Sequence, residues 1–113
     1  MLAKAHRITQ GADYKMVVRR GRRVVLPHTV TYVRQDASGS LVRFGFIVGK
    51  SVGNAVHRNR VRRRMKAVCF DLLPEIGPGT DIVVRALPAS VDAGWTTLQE
   101  EISRAVTRGT SRS

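Results

Sequence analysis

The chain has 113 residues, of which 42% are hydrophobic and 25% charged, with a formal net charge of +12 at pH 7 and a pI near 11.5. That length allows one domain with one modest core, and the cationic surplus gains most by displacing counterions from phosphates, which puts nucleic acid first among partners and an anionic membrane second. Cys69 is the single cysteine, which excludes an intrachain disulfide and a cysteine-based zinc cluster; the basic N-terminus precedes no apolar run, and no stretch of about 18 apolar residues could span a bilayer, so the expectation is a soluble, cytoplasmic protein with no membrane partner.

In chain order, residues 1–8 read as a flexible basic arm. Thr9 can cap a first helix in which Asp13 favours the N-terminal dipole and Tyr14, Val17 and Val18 share one apolar side, with Gly21 ending it. Val24-Val25-Leu26 is a short strand, and Pro27 separates it from a β-rich segment, His28 to Arg34. Asp36 to Ser40 is a turn. From Leu41 to Val48 the pattern alternates: Val42, Phe44, Phe46 and Val48 point one way and Leu41, Arg43, Gly45 and Ile47 the other, so one sheet face is apolar and needs a helical cover. Lys50 to Gly53 is a loop into a long helix capped by Asn54 and running to about Leu73, with Val61, Met65, Val68, Cys69 and Leu72 as its core stripe. A turn at Gly77-Pro78-Gly79 leads to a buried strand, Thr80 to Ala86, stopped by Pro88. A last helix, capped near Asp92, aligns Trp95, Leu98, Ile102 and Val106, and 107–113 is a polar end expected to fray. The order is αβββαβα in a single domain, 1–113, with no internal repeat.

The charge is unevenly placed. Residues 1–66 hold sixteen of the twenty Lys and Arg against Asp13 and Asp36, a net of +14, whereas residues 67–113 carry a net of −2. The stretch from Gly53 to Lys66 has six cations and no acid. At about 100° per residue, Arg58, Arg62 and Lys66 fall in one row beside the core stripe, and Arg60 and Arg63 fall on the solvent side. Like charges at this spacing destabilise an isolated helix, so a solvated face alone is a poor account of them. Such a row suits a phosphate backbone, and Asn59 among them can donate and accept, as a base edge or a 2′-hydroxyl requires.

Protein-borne catalysis is poorly supported. A metal-free ribonuclease needs converging acid and base groups, yet His6 sits in the arm and His57 on the basic helix, and the carboxylates are too scattered for a two-metal centre. Asp13 reads as a helix residue, and Asp71, Glu75 and Asp81 as surface. Cys69 and Trp95 lie at core spacing. Tyr14 and Tyr32 stand on elements flanked by arginines, which suits either burial or stacking on an unpaired base.

The run Lys50-Ser51-Val52-Gly53-Asn54-Ala55-Val56-His57-Arg58-Asn59-Arg60-Val61-Arg62-Arg63 closely resembles the signature of the bacterial ribonuclease P protein component. The resemblance extends to Arg7-Ile8 through Asp13-Tyr14 and to Ile82-Val83-Val84-Arg85 through Pro88. It implies a ribosomal protein S5 domain 2-like α+β fold, with three helices and a four-stranded sheet containing a left-handed βαβ crossover, against the usual right-handed rule. It also implies removal of the 5′ leader of precursor tRNA by a holoenzyme whose catalytic centre and Mg2+ ions belong to an RNA subunit. This chain would then hold no catalytic residue and no metal of its own. Carried over by position, Arg58, Asn59, Arg60, Arg62, Arg63 and Lys66 would face the catalytic RNA, Tyr14, Val18 and Tyr32 would line a leader-binding cleft, and Lys50 would stand at its edge.

Three departures from the family pattern stand out. Val18 replaces a second aromatic, Ser51 a second loop lysine, and Ala86-Leu87 an Arg-Lys pair, with Arg85 near enough to compensate. The expected partners are the catalytic RNA and precursor tRNA, with no obligate protein partner. Two other classes remain at this stage: a small ribosomal or ribosome-assembly RNA-binding protein of related fold, indifferent to a 5′ leader, and a protein-only ribonuclease, which would cleave without RNA.

Overall fold

In the computed structural model, which describes residues 2–36 and 39–110, the chain forms α1 (Gly11–Arg20), β1 (Arg22–Val25), β2 (Thr29–Gln35), β3 (Arg43–Ile47), α2 (Ala55–Leu72), β4 (Thr80–Ala86) and α3 (Trp95–Thr110). This is the αβββαβα order that the sequence predicts. Short 3-10 turns at Lys4–His6, Lys50–Val52, Leu73–Glu75 and Pro88–Asp92 fill the connections.

The most apolar strand takes the most buried place. β4 lies between β2, antiparallel, and β3, parallel, in a sheet of order β1-β2-β4-β3. Ile82, Val83 and Val84 are fully buried, as a strand covered on both faces requires. β3 and β4 pair in parallel, so their connection must cross over the sheet, and α2 makes that crossing.

The alternation in β3 sorts the two faces. Phe44, Phe46 and Val48 join Val33, Ile82 and Val84 beneath α2 and α3. Every residue of the expected α2 stripe, Val61, Met65, Val68, Cys69 and Leu72, is buried there, opposite Leu98, Ile102 and Val106 of α3. The other face is smaller: Val17 of α1 packs with Ile8, Val30, Tyr32 and Val83, and Tyr14, Ile47 and Leu87 border them.

Burial pushes the Cys69 thiol well above the usual cysteine pKa. A thiol that is neither ionised nor accessible reacts only when the fold opens. Native protein at pH 8 is therefore expected to resist a thiol-reactive dye until denaturant is added; stoichiometric labelling within seconds under native conditions would contradict a structural Cys69.

Several local expectations are corrected. Thr9 does not cap α1; Gln10 occupies the cap position and makes no side-chain cap bond. Val18 does not share the buried side with Val17, being 37% exposed. β1 begins at Arg22, because pairing of Arg22 with Val33 and Arg23 with Tyr32 extends the strand across residues whose side chains stay in solvent. Asp92 belongs to a 3-10 turn that the Pro88 stop initiates, so α3 starts after it. Trp95 opens α3 but is 37% exposed rather than core, since the first turn of α3 lies beyond the sheet-covering stripe that starts at Leu98.

Both ends expected to be flexible carry packed residues. Leu2 and Ile8 are buried, Ile8 N donates to Phe44 O at 2.8 Å, and His6 Nδ1 donates to Val42 O at 2.6 Å. The N-terminal segment thus lies along the free edge of β3, where unpaired strand amides and carbonyls need partners. At the other end α3 continues to Thr110, with Val106 and Gly109 buried and Gly109 against Val33. Residue 1, residues 37–38 of the expected turn and residues 111–113 lie outside the described residues; Gly39 N donates to Asp36 O across that turn.

Candidate nucleic-acid interface

The basic helix is aimed by its neighbours at both ends. Gly53 takes φ of +147°, a conformation that side-chain-bearing residues rarely adopt, and so turns the chain out of the Lys50–Val52 turn, which Val52 anchors in the core. Asn54 then caps α2, its Oδ1 accepting from His57 N at 3.0 Å. With five apolar residues locking the inner face, the rotation of the cations about the helix axis is fixed.

Arg58, Arg62 and Lys66 are half-buried along one flank, while Asn59, Arg60 and Arg63 are exposed. The sixth cation, Arg64, turns inward and donates from Nη1 to Ala93 O at 2.8 Å, which fastens α2 to the turn before α3. None of the six forms an ion pair among the described residues. Asn59 also bonds within the helix. Its Oδ1 accepts from Arg62 Nη1 at 3.0 Å, so it steadies that guanidinium and offers outward only its amide donors. Lys50 is exposed on the turn after β3.

The α1 face of the sheet is organised in rows across the strands. One row is Arg34, Asp81 and Arg43; the next is Arg23, Tyr32, Val83 and Gly45; the last is Val25, Val30, Arg85 and Ile47. In the first row Arg43 donates to both carboxylate oxygens of Asp81, at 2.9 and 2.8 Å, and to Asp13 of α1 at 3.3 Å. The hydrogen bond to Asp81 outweighs partial desolvation and raises the Arg43 pKa above the ordinary arginine value. Asp81 is therefore not a surface residue: it is buried, and through it and Asp13 the guanidinium of Arg43 ties β3 to β4 and α1.

In the middle row Tyr14 lies over Gly45, where an added Cβ would stand 2.5 Å from the Tyr14 ring, so glycine is what admits the aromatic. The Tyr14 hydroxyl oxygen accepts from Phe46 N at 3.2 Å and satisfies the β3 edge. Tyr14 stays half-buried, whereas Tyr32 is 6% exposed and forms part of the floor. Val18 is exposed on α1. In the last row Arg85 and Val25 are exposed and Ile47 half-buried. The alternation of Asp81, Val83 and Arg85 along β4 puts Arg85 on this face, a signal in the sequence that the reading of β4 as a uniformly buried strand passes over.

Asp13, Asp81 and the histidines are each engaged in other contacts. Asp13 and Asp81, the acids that approach each other, are both engaged by Arg43, and among the described residues no group of three His, Cys, Asp or Glu is arranged to hold a metal. His6, His28 and His57 bond to different partners on different elements. Among the described residues no helix is long and apolar enough to cross a membrane.

A mixed four-stranded sheet with two helices on one face and one on the other, and a helix whose unpaired cations face outward, defines an RNA-binding protein of the α+β class. The ribonuclease P family profile matches residues 2–109. The chain is 52% identical to the ribonuclease P protein component of Clavibacter michiganensis over 108 residues, covering 96% of each, and 46% identical to that of Pseudarthrobacter chlorophenolicus over 94% of this chain and 78% of that protein. The RNase P protein of Staphylococcus aureus superposes with a TM-score of 0.82 at 26% identity, covering 95% of this chain and 97% of that one. The Thermotoga maritima RNase P protein, at 21% identity and a TM-score of 0.78, shares the fold over 90% of this chain and 96% of its own. The chain belongs to the ribonuclease P protein family. Its role is in tRNA 5′ processing, as the protein subunit of the endoribonuclease ribonuclease P, which separates it from the ribosome-assembly alternative.

Proposed function

We propose that α2 is the surface that binds the catalytic RNA, and that the α1 face of the sheet holds the 5′ leader of precursor tRNA. The observation that carries the first part is the row Arg58, Arg62 and Lys66, held in fixed rotation by a fully buried stripe and left without acidic partners. Arg60 and Arg63 widen this surface, Asn59 orients Arg62, and Lys50 extends it toward the sheet edge. Cations on phosphates give affinity without sequence preference, and each contact releases counterions.

The second part is supported by Tyr14, Val18 and Arg85. A leader of variable sequence is best held by a ring that stacks on any base and by cations on its phosphates. Tyr14 supplies the ring, Tyr32 part of the floor two strands across, Val18 an apolar rim, and Arg85 a cation two residues along β4 from Val83. The magnesium ions of the holoenzyme are assigned to the RNA, and the protein contributes by neutralising phosphates near the cleavage site, which lowers the divalent-ion concentration the RNA needs. The protein works where that RNA is made, in the cytoplasm.

Binding of precursor and mature tRNA to the holoenzyme tests the leader assignment. Tyr14→Ala is expected to narrow the preference for precursor by about tenfold, the scale of one lost stack, and Arg85→Ala to flatten the salt dependence for precursor only. Tyr14→Phe keeps the ring and should keep the preference. Equal losses for both substrates would make Tyr14 a packing residue and refute its leader role.

A further inference from the structure

The side of α2 that faces away from the sheet borders a concavity of about 370 Å3, walled by Arg63, Lys66, Ala67 and Phe70 of α2, Trp95 at the start of α3, and Arg7 of the N-terminal segment. At about 100° per residue Arg63, Ala67 and Phe70 stand opposite the buried stripe, so nothing in the core explains an aromatic here. Phe70 is nevertheless 45% exposed and Trp95 37% exposed. Two large aromatics left partly in solvent on the walls of one concavity mark a surface with a partner.

The charge around them selects the partner. Three cations, Arg7, Arg63 and Lys66, rim the concavity against the single acid Asp71. An apolar protein segment would bury the rings but would also desolvate the cations without pairing them. An unpaired nucleotide uses both features, since a base stacks on a ring while its flanking phosphates take the guanidinium and ammonium groups. The position is continuous with the α2 cation row: Arg63 and Lys66 belong to both, and Phe70 lies only about 18 Å along the helix axis from Arg58.

We propose that this concavity takes an unpaired base of the catalytic RNA, stacked on Phe70 and Trp95, with its phosphates on Arg7, Arg63 and Lys66. The inference rests on the assignment of α2 to that RNA and adds a stacking site at its far end, on the opposite side of the sheet from the leader face.

Trp95 is the only tryptophan in the chain, so its emission reports on this site alone. The full-length protein is titrated with the catalytic RNA, whose own end label follows binding independently, and in parallel with inorganic polyphosphate of matched charge. RNA should quench Trp95 along the same curve that the RNA label traces, and polyphosphate should not; Phe70→Ala should weaken RNA binding about tenfold and Phe70→Tyr hardly at all. Binding of RNA with Trp95 emission unchanged and Phe70→Ala neutral would overturn the stacking site while leaving α2 as the RNA surface. Equal quenching by polyphosphate would also overturn it, because phosphate alone would then account for the change. Binding of RNA that is indifferent to Arg58→Ala and Arg62→Ala would instead refute the underlying α2 assignment.

Discussion

Replacing Arg58, Arg62 and Lys66 together by alanine is expected to weaken binding to the catalytic RNA by about a hundredfold or more, and to lower the slope of log affinity against log salt by about 2 to 3. Each of the three is a half-buried cation with no acidic partner among the described residues, so each is free to take a phosphate and release its counterions. Folding should survive, because the stripe that anchors α2 consists of other residues and because removing like charges at i, i+4 relieves repulsion along the helix. The slope is the more telling quantity. A lost affinity with an unchanged slope would mean that the helix had shifted rather than that phosphate contacts had gone, and the cation row would lose its role.

Glu101→Ala is expected to be the most destabilising single change outside the apolar core. Glu101 is 5% exposed on α3, yet it meets a dense set of donors at the start of β2. Its carboxylate accepts from His28 N at 3.2 and 3.3 Å, from His28 Nδ1 at 2.9 Å and from the Thr29 hydroxyl. His28 O in turn accepts from Leu87 N at 2.9 Å, so the acid fastens α3 to the end of the sheet where Val25, Val30, Arg85 and Ile47 form the last row. Removing it strands buried donors, at a cost of about 3 kcal/mol, which should lower Tm by roughly 10 to 20 °C. Glu101→Gln keeps one acceptor oxygen and should lose much less. Thermal unfolding of the two variants decides the matter, and an alanine variant as stable as the parent would show that the network contributes nothing.

Neither Glu101 nor the Arg43 bridge was legible in the sequence, and for the same reason. A charged residue in a chain with twenty Lys and Arg reads as surface unless its burial partner is known, and here the partners stand 73 residues away for Glu101 and 38 and 30 away for Arg43. What was legible depended on local period. The α2 stripe from Val61 to Leu72 and the β3 alternation from Val42 to Val48 each carry a repeat long enough to fix which side faces inward, and Asn54 and Gly53 mark the helix start by their own chemistry. The cations of α2 could be placed because they ride on that stripe. Tyr14 could not be placed, since its position depends on a glycine in a different element, and Trp95 matched a helical repeat whose first member lies beyond the sheet. The N-terminal residues looked like an arm because Leu2 and Ile8 are too widely spaced to form a periodic pattern, and the main-chain bonds that hold the segment to the β3 edge leave no mark in the sequence.

Under the proposed function, the protein assists an RNA catalyst through RNA contacts and supplies no cleavage chemistry of its own. The most direct test is 5′ cleavage of a precursor tRNA at low magnesium by the catalytic RNA alone, by this protein alone, and by the two together. Cleavage at the mature 5′ end that is strong only when both are present is the predicted result; equal cleavage by the RNA with and without the protein, or cleavage by the protein alone, would contradict it.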